Sequence, residues 1–174
     1  WIGTEEEGVS RLHKRSHEIT AFPRLTASNL VKDVFIRNEQ LYIAQFAGGY
    51  SVVDLKTMAK KHYALHGDAY HWANNVFSIH ADEKANMYVG TNIGLYYVAR
   101  GAKPVFVPEI GRGIVLDIQE DEKGTIYLLI NAKIYKKTAG STSFKVERFN
   151  NLPISGFYTD GATVWACSGE SVYK

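Results

Sequence analysis

The segment His66-Gly67-Asp68-Ala69-Tyr70-His71-Trp72-Ala73-Asn74-Asn75 packs unusual binding chemistry into ten residues. Tyr70 and Trp72 offer flat apolar rings. His66, Asp68, His71 and Asn74 offer hydrogen-bond donors and acceptors. Sites for small ligands combine apolar area with a few placed polar groups in this way. Two other readings stand beside it: Trp72 fills a gap between packed elements, or Trp and Tyr anchor a protein partner. The spacing of His66, Asp68 and His71 matches no recognised metal-ligand motif and no Cys stands near them, so no metal is assigned.

Weaker candidates for the same site are Glu5, Glu6, Asn29, Asn92 and Arg112, each at a break between strand-like runs. Glu5-Glu6-Glu7 also reads as a solvated turn, and His80 as an exposed or satisfied strand residue. The single Cys167 excludes an internal disulfide and, inside an apolar run, reads as a small core residue. No Ser-centred elbow, zinc-peptidase helix or phosphate loop is present, so no catalytic residue and no cofactor is assigned.

The elements that must position these residues repeat. Trp1-Ile2-Gly3-Thr4, Tyr42-Ile43-Ala44-Gln45, Tyr88-Val89-Gly90-Thr91, Tyr127-Leu128-Leu129-Ile130 and Trp165-Ala166-Cys167-Ser168 share one pattern, with lead aromatics 41, 46, 39 and 38 residues apart. A period near forty indicates a repeat architecture. Within a unit, Val76-His80, Met87-Thr91, Leu95-Val98 and Val105-Val107 are short runs rich in β-branched and aromatic residues, separated by Asp, Asn, Gly and Pro. Such runs are strands and hairpins. Four strands per unit predict an all-β propeller segment of four-stranded antiparallel blades. Residues 31–66, 76–108 and 114–150 are three complete blades, and 1–24 and 155–174 are partial ones. The partial blades overlap in strand type, so they do not complete one another, and an open arc of a larger propeller is expected. Lys56 to Leu65 fits either a helix or, from Lys60, a fourth strand.

Of 174 residues, 45% are hydrophobic and 22% charged, as in one globular domain, and the net charge is +2. That charge is too small and too interspersed for a nucleic-acid surface. No apolar run reaches the about 18 residues of a membrane span, so no direct membrane contact is expected of this segment.

The aromatic–Ile/Val–Gly–Thr segment followed by a Gly-led strand resembles the two-component regulator propeller repeat. Trp1-Ile2-Gly3-Thr4 with Gly8-Val9-Ser10-Arg11-Leu12 is similar to it, as is Asp82 to Leu95; the units at Tyr127 and Trp165 keep less. The resemblance implies a periplasmic sensor region of a membrane-anchored hybrid histidine kinase of the Bacteroidetes type, binding glycan-derived ligands and not catalysing a reaction. A protein-binding propeller scaffold, or a fragment of a propeller lyase or hydrolase, is the alternative. Partners expected on this basis are an oligosaccharide, the parent's neighbouring blades or a second copy. Asp121 to Tyr127 resembles the aspartate box of sialidases, a structural turn outside their active site, which implies no activity.

Overall fold

The computed structural model describes residues 1–147, 152–161 and 163–174. Among the described residues, eighteen strands form five antiparallel sheets in chain order. The first holds β1 (Ile2–Gly3), β2 (Val9–Leu12) and β3 (Ile19–Ala21). The second holds β4 (Val31–Arg37), β5 (Gln40–Gln45), β6 (Gly49–Asp54) and β7 (Lys60–Tyr63). The third holds β8 (Val76–Ala81), β9 (Met87–Thr91), β10 (Gly94–Val98) and β11 (Val105–Phe106). The fourth holds β12 (Val115–Glu120), β13 (Ile126–Ile130), β14 (Lys133–Lys137) and β15 (Lys145–Glu147). The last holds β16 (Gly156–Asp160), β17 (Thr163–Ser168) and β18 (Ser171–Tyr173). The expected end of the fourth unit at 150 lies outside the described residues. Lys60 to Tyr63 is a strand, which decides the helix-or-strand ambiguity there.

Alternation along each second strand explains how the sheets stack. Leu41 and Ile43 of β5 pack on the first sheet with Val9 and Val31. Their neighbours Tyr42 and Ala44 point the other way and pack on Val76 and Ile79 of the third sheet. The same happens one blade on, where Tyr88 joins Val115 and Leu128, and again where Tyr127 and Leu129 join Ile154 and Phe157. Each sheet pair thus shares one core, and β4, β8 and β12 lie side by side as inner strands. This is a β-propeller arc.

The register makes the recurring aromatics equivalent. Tyr42 pairs with Phe35, Tyr88 with His80, Tyr127 with Gln119 and Trp165 with Tyr158, each on the first strand of its blade. A bulge recurs too, at the start of β4, β8 and β12. The Gly of the motif has a steric cause. A Cβ on Gly90 would lie 2.8 Å from Val115 Cγ1, and one on Gly3 would lie 2.5 Å from Val31 Cγ1. The motif Gly is where the next blade's first Val docks. Its Thr ties the following turn: Thr91 Oγ1 donates to Gly94 O at 2.8 Å and accepts from Ile93 N.

The expectation of a buried Cys167 is corrected: the residue is exposed. It occupies the position of Gly3, Ala44, Gly90 and Leu129, on the face turned toward a following blade. Among the described residues no sheet packs on that face. For the same reason Trp165 is 38% exposed, while Tyr42, Tyr88 and Tyr127 are 4–9% exposed.

Candidate functional site

The connection from β7 to β8 runs through the His66–Asn75 segment and ends in a 3-10 turn, Trp72–Asn74. Two other 3-10 turns, Pro23–Leu25 and Pro108–Ile110, stand in the corresponding connections. They bury Leu25 and Ile110, whereas this one buries Asn74. The Asn74 amide organises the loop. Its Oδ1 accepts from Leu65 N (2.8 Å) and His66 N (3.1 Å), and its Nδ2 donates to His66 O (3.1 Å) and Asp68 O (2.8 Å). Buried amides need such partners, and this one is fully committed to backbone, so it holds the loop and does not face a ligand.

Other contacts fix the loop crown. His71 Nδ1 accepts from Ala73 N and caps the 3-10 turn, and His66 Nδ1 accepts from Asp68 N, both at 3.1 Å. The two imidazoles stack with centroids 3.8 Å apart. Asp68 Oδ1 accepts from Tyr70 N at 3.0 Å. With the backbone tied this way, Tyr70 is 94% exposed and Trp72 65% exposed. Trp72 is therefore not an inter-blade plug. Both rings stand in water on a hydrogen-bonded loop, termed the platform, and an exposed ring of this kind is chemically suited to the apolar face of a sugar or to a partner's side chain.

The remaining candidates share this end of the sheets, because second-to-third turns and inter-blade connections lie together. Asn92 N donates to Asn75 O (3.2 Å), which joins that residue to the platform's base. Asn92 Oδ1 is buried without a partner among the described residues. Glu5 pairs with Lys32 at 2.5 Å, and that contact holds its carboxyl below the usual range. Asn29 O accepts from Gly8 N, and Arg112 O accepts from Asn131 Nδ2. Glu6 and Arg112 are exposed. No hydrogen bond or ion pair among the described residues links Glu5, Glu6, Asn29 or Arg112 to the platform.

Sequence reasoning missed a charged cluster on the inner strands. Glu120 Oε2 accepts from Arg37 Nη1 at 2.5 Å and from His80 Nε2 at 3.0 Å, joining β4, β8 and β12. Burial opposes ionisation of Glu120, but these two hydrogen bonds outweigh it and hold the carboxyl below its ordinary range. Nearby, burial pushes Asp33 and Asp117 up. Asp33 Oδ2 accepts from Ile79 N of the next blade at 3.0 Å. The available signal was positional: titratable residues stand at or next to the ends of three successive first strands.

No protein-family model and no curated protein matches the chain. Solved structures do. The chain superposes over 99% of its length on the extracellular domain of a Bacteroides thetaiotaomicron protein assigned as the hybrid two component system BT3049, with a TM-score of 0.75 and 18% identity. It superposes equally far on the extracellular domain of BT4673 from the same organism, with a TM-score of 0.76 and 14% identity. The fold is that of these extracellular domains. The chain spans about a quarter of either one, 24% and 25%. An ancestral GH74 enzyme shares the fold over 82% of this chain and 22% of its own, with a TM-score of 0.66 and 16% identity. The fold alone therefore assigns no chemistry. Among the described residues, no helix is long and apolar enough to cross a membrane.

Proposed function

We propose that this chain is a ligand-binding section of a larger sensor propeller, displayed outside the cytoplasmic membrane, in the periplasm of a two-component system. The ligand is a glycan-derived oligosaccharide that stacks on Tyr70 and Trp72. The observation that carries this reading is the exposure of both rings on a loop pinned from beneath by Asn74. Likeness in fold to the extracellular domains of BT3049 and BT4673 supports the sensor role. Binding would act by favouring one arrangement of the parent over another, since a ligand shifts only states it binds unequally. A histidine kinase is the proposed recipient of that shift. The exposed apolar face of the last sheet, with Tyr158, Trp165 and Val172, is proposed to be covered by the parent's next blade.

The test is calorimetry of the natural protein that contains this chain, titrated with a panel of neutral oligosaccharides. Trp72→Ala is expected to weaken binding ten- to hundredfold, which corresponds to about 1–3 kcal/mol for one buried aromatic contact. Unchanged affinity in both Tyr70→Ala and Trp72→Ala would overturn the assignment.

A further inference from the structure

The opposite end of the sheets carries a different concavity. Two adjoining cavities of 620 and 470 Å³ lie between the third and fourth sheets and share Tyr88, Tyr97, Lys137 and Ser141. The turns at 82–86 and 121–125 flank the larger one. The smaller is walled by Tyr97, Phe106 and Phe144. We propose that this groove is a second binding site, for a small carboxylate with a flat apolar face, held by the Lys137 ammonium and the Tyr88 hydroxyl.

The geometry supplies both halves of that chemistry. Lys137 Nζ donates to Tyr88 Oη at 3.2 Å and lies 5.7 Å from the Tyr88 ring centroid. The hydroxyl oxygen accepts that bond, so its own proton remains available. Burial, with Asp82 and Glu120 adding to it, pushes the Tyr88 phenol up to about 12, so it stays a donor at neutral pH. No carboxylate among the described residues lies within 4 Å of Lys137 Nζ, although the neighbouring Lys136 pairs with Glu147.

Most of the acids around the groove are engaged elsewhere; Glu83 and Glu122, exposed on the flanking turns, line the larger cavity without a hydrogen-bond or ion-pair partner among the described residues, whereas the smaller cavity has Glu109 as its one acid. Glu120 is held by Arg37 and His80. Asp82 accepts from Lys84 N, Asn86 N and Asn86 Nδ2 within its turn, and Asp121 accepts from Lys123 N, Thr125 N and Tyr127 Oη. Glu109 accepts from Phe144 N. An ammonium and a phenol aimed at one volume beside three aromatic rings select an anion with an apolar body. A uronic acid unit and an aryl carboxylate both have that chemistry.

The proposal goes beyond the platform reading and uses no residue of it. Its test is calorimetry of the parent protein with three probes: a glucuronate-terminated disaccharide, the glucose-terminated counterpart, and 3-phenylpropionate. At least one acid is expected to bind tenfold or more tighter than the neutral disaccharide. Which acid binds identifies the source. Lys137→Met should weaken acid binding tenfold or more and Tyr88→Phe severalfold, while Lys137→Arg restores most of the affinity. Thermal melts of each variant separate lost binding from lost fold. Equal affinity for acid and neutral probes, no acid binding at millimolar concentration, or full affinity in a folded Lys137→Met would overturn the proposal. If Trp72→Ala alone abolishes acid binding, the groove proposal fails and the platform reading stands.

Discussion

Removing the Glu120 carboxylate should loosen three blades at once. Its side chain is 10% exposed, and its partners His80 and Arg37 are 4% and 25% exposed. Glu120→Ala leaves a buried imidazole N–H and a mostly buried guanidinium without an acceptor. Breaking a buried pair in this way costs about 3–5 kcal/mol, and the partial exposure of Arg37 argues for about 3. Glu120→Gln keeps the size and one acceptor oxygen but loses the charge, which predicts about 1–2 kcal/mol. The assay is urea unfolding at pH 7, read as a shift in midpoint at constant slope. The pH dependence provides a second check. The folded carboxyl ionises below its unfolded value of about 4.3, so its stabilisation is complete above that pH. It is lost as pH falls through the lower folded value. The Gln variant should lack this acid limb. A loss under about 0.5 kcal/mol in both variants, or an unchanged acid limb in Glu120→Gln, would refute the clamp.

Asp117→Asn should raise stability at pH 7, because burial makes the native carboxylate unfavourable, and the gain should vanish in acid, where the wild-type residue is protonated; urea midpoints at both pH values decide it. Gly90→Val should destabilise by about 2–4 kcal/mol by driving the next blade's Val115 outward, whereas Gly161→Ala should cost far less, as seen in thermal melts. Asn74→Ala should leave the melting temperature nearly unchanged yet open the loop, giving faster amide exchange at Leu65 and His66 and new proteolysis near Tyr70. The isolated 174-residue chain should self-associate through the exposed Tyr158–Trp165 face, and a strict monomer at high concentration in light scattering would contradict this.

The blade pattern was legible because it is local. Aromatic spacing, alternation and turn residues write each strand into a few neighbouring positions, and the register then makes Tyr42, Tyr88, Tyr127 and Trp165 equivalent. The Gly-Thr pair was visible in the sequence without its reason, because Val115 and Val31 arrive from the following blade. Cys167 was misread for a related cause: alternation shows that a residue faces across a sheet, but not whether another sheet lies there. The loop's composition was readable, but the exposure of Trp72 was not, because it follows from a loop backbone held by Asn74, whose four hydrogen bonds depend on the folded loop. The Arg37–His80–Glu120 cluster and the Lys137 groove join residues from different units, which no pattern within one unit reveals.

Hydrogen exchange of the parent protein with and without a bound oligosaccharide tests the central assignment most directly. Protection is expected at residues 66–75 and at the adjoining turn around Asn92. Protection confined to the opposite end of the sheets, with residues 66–75 unchanged, would contradict it.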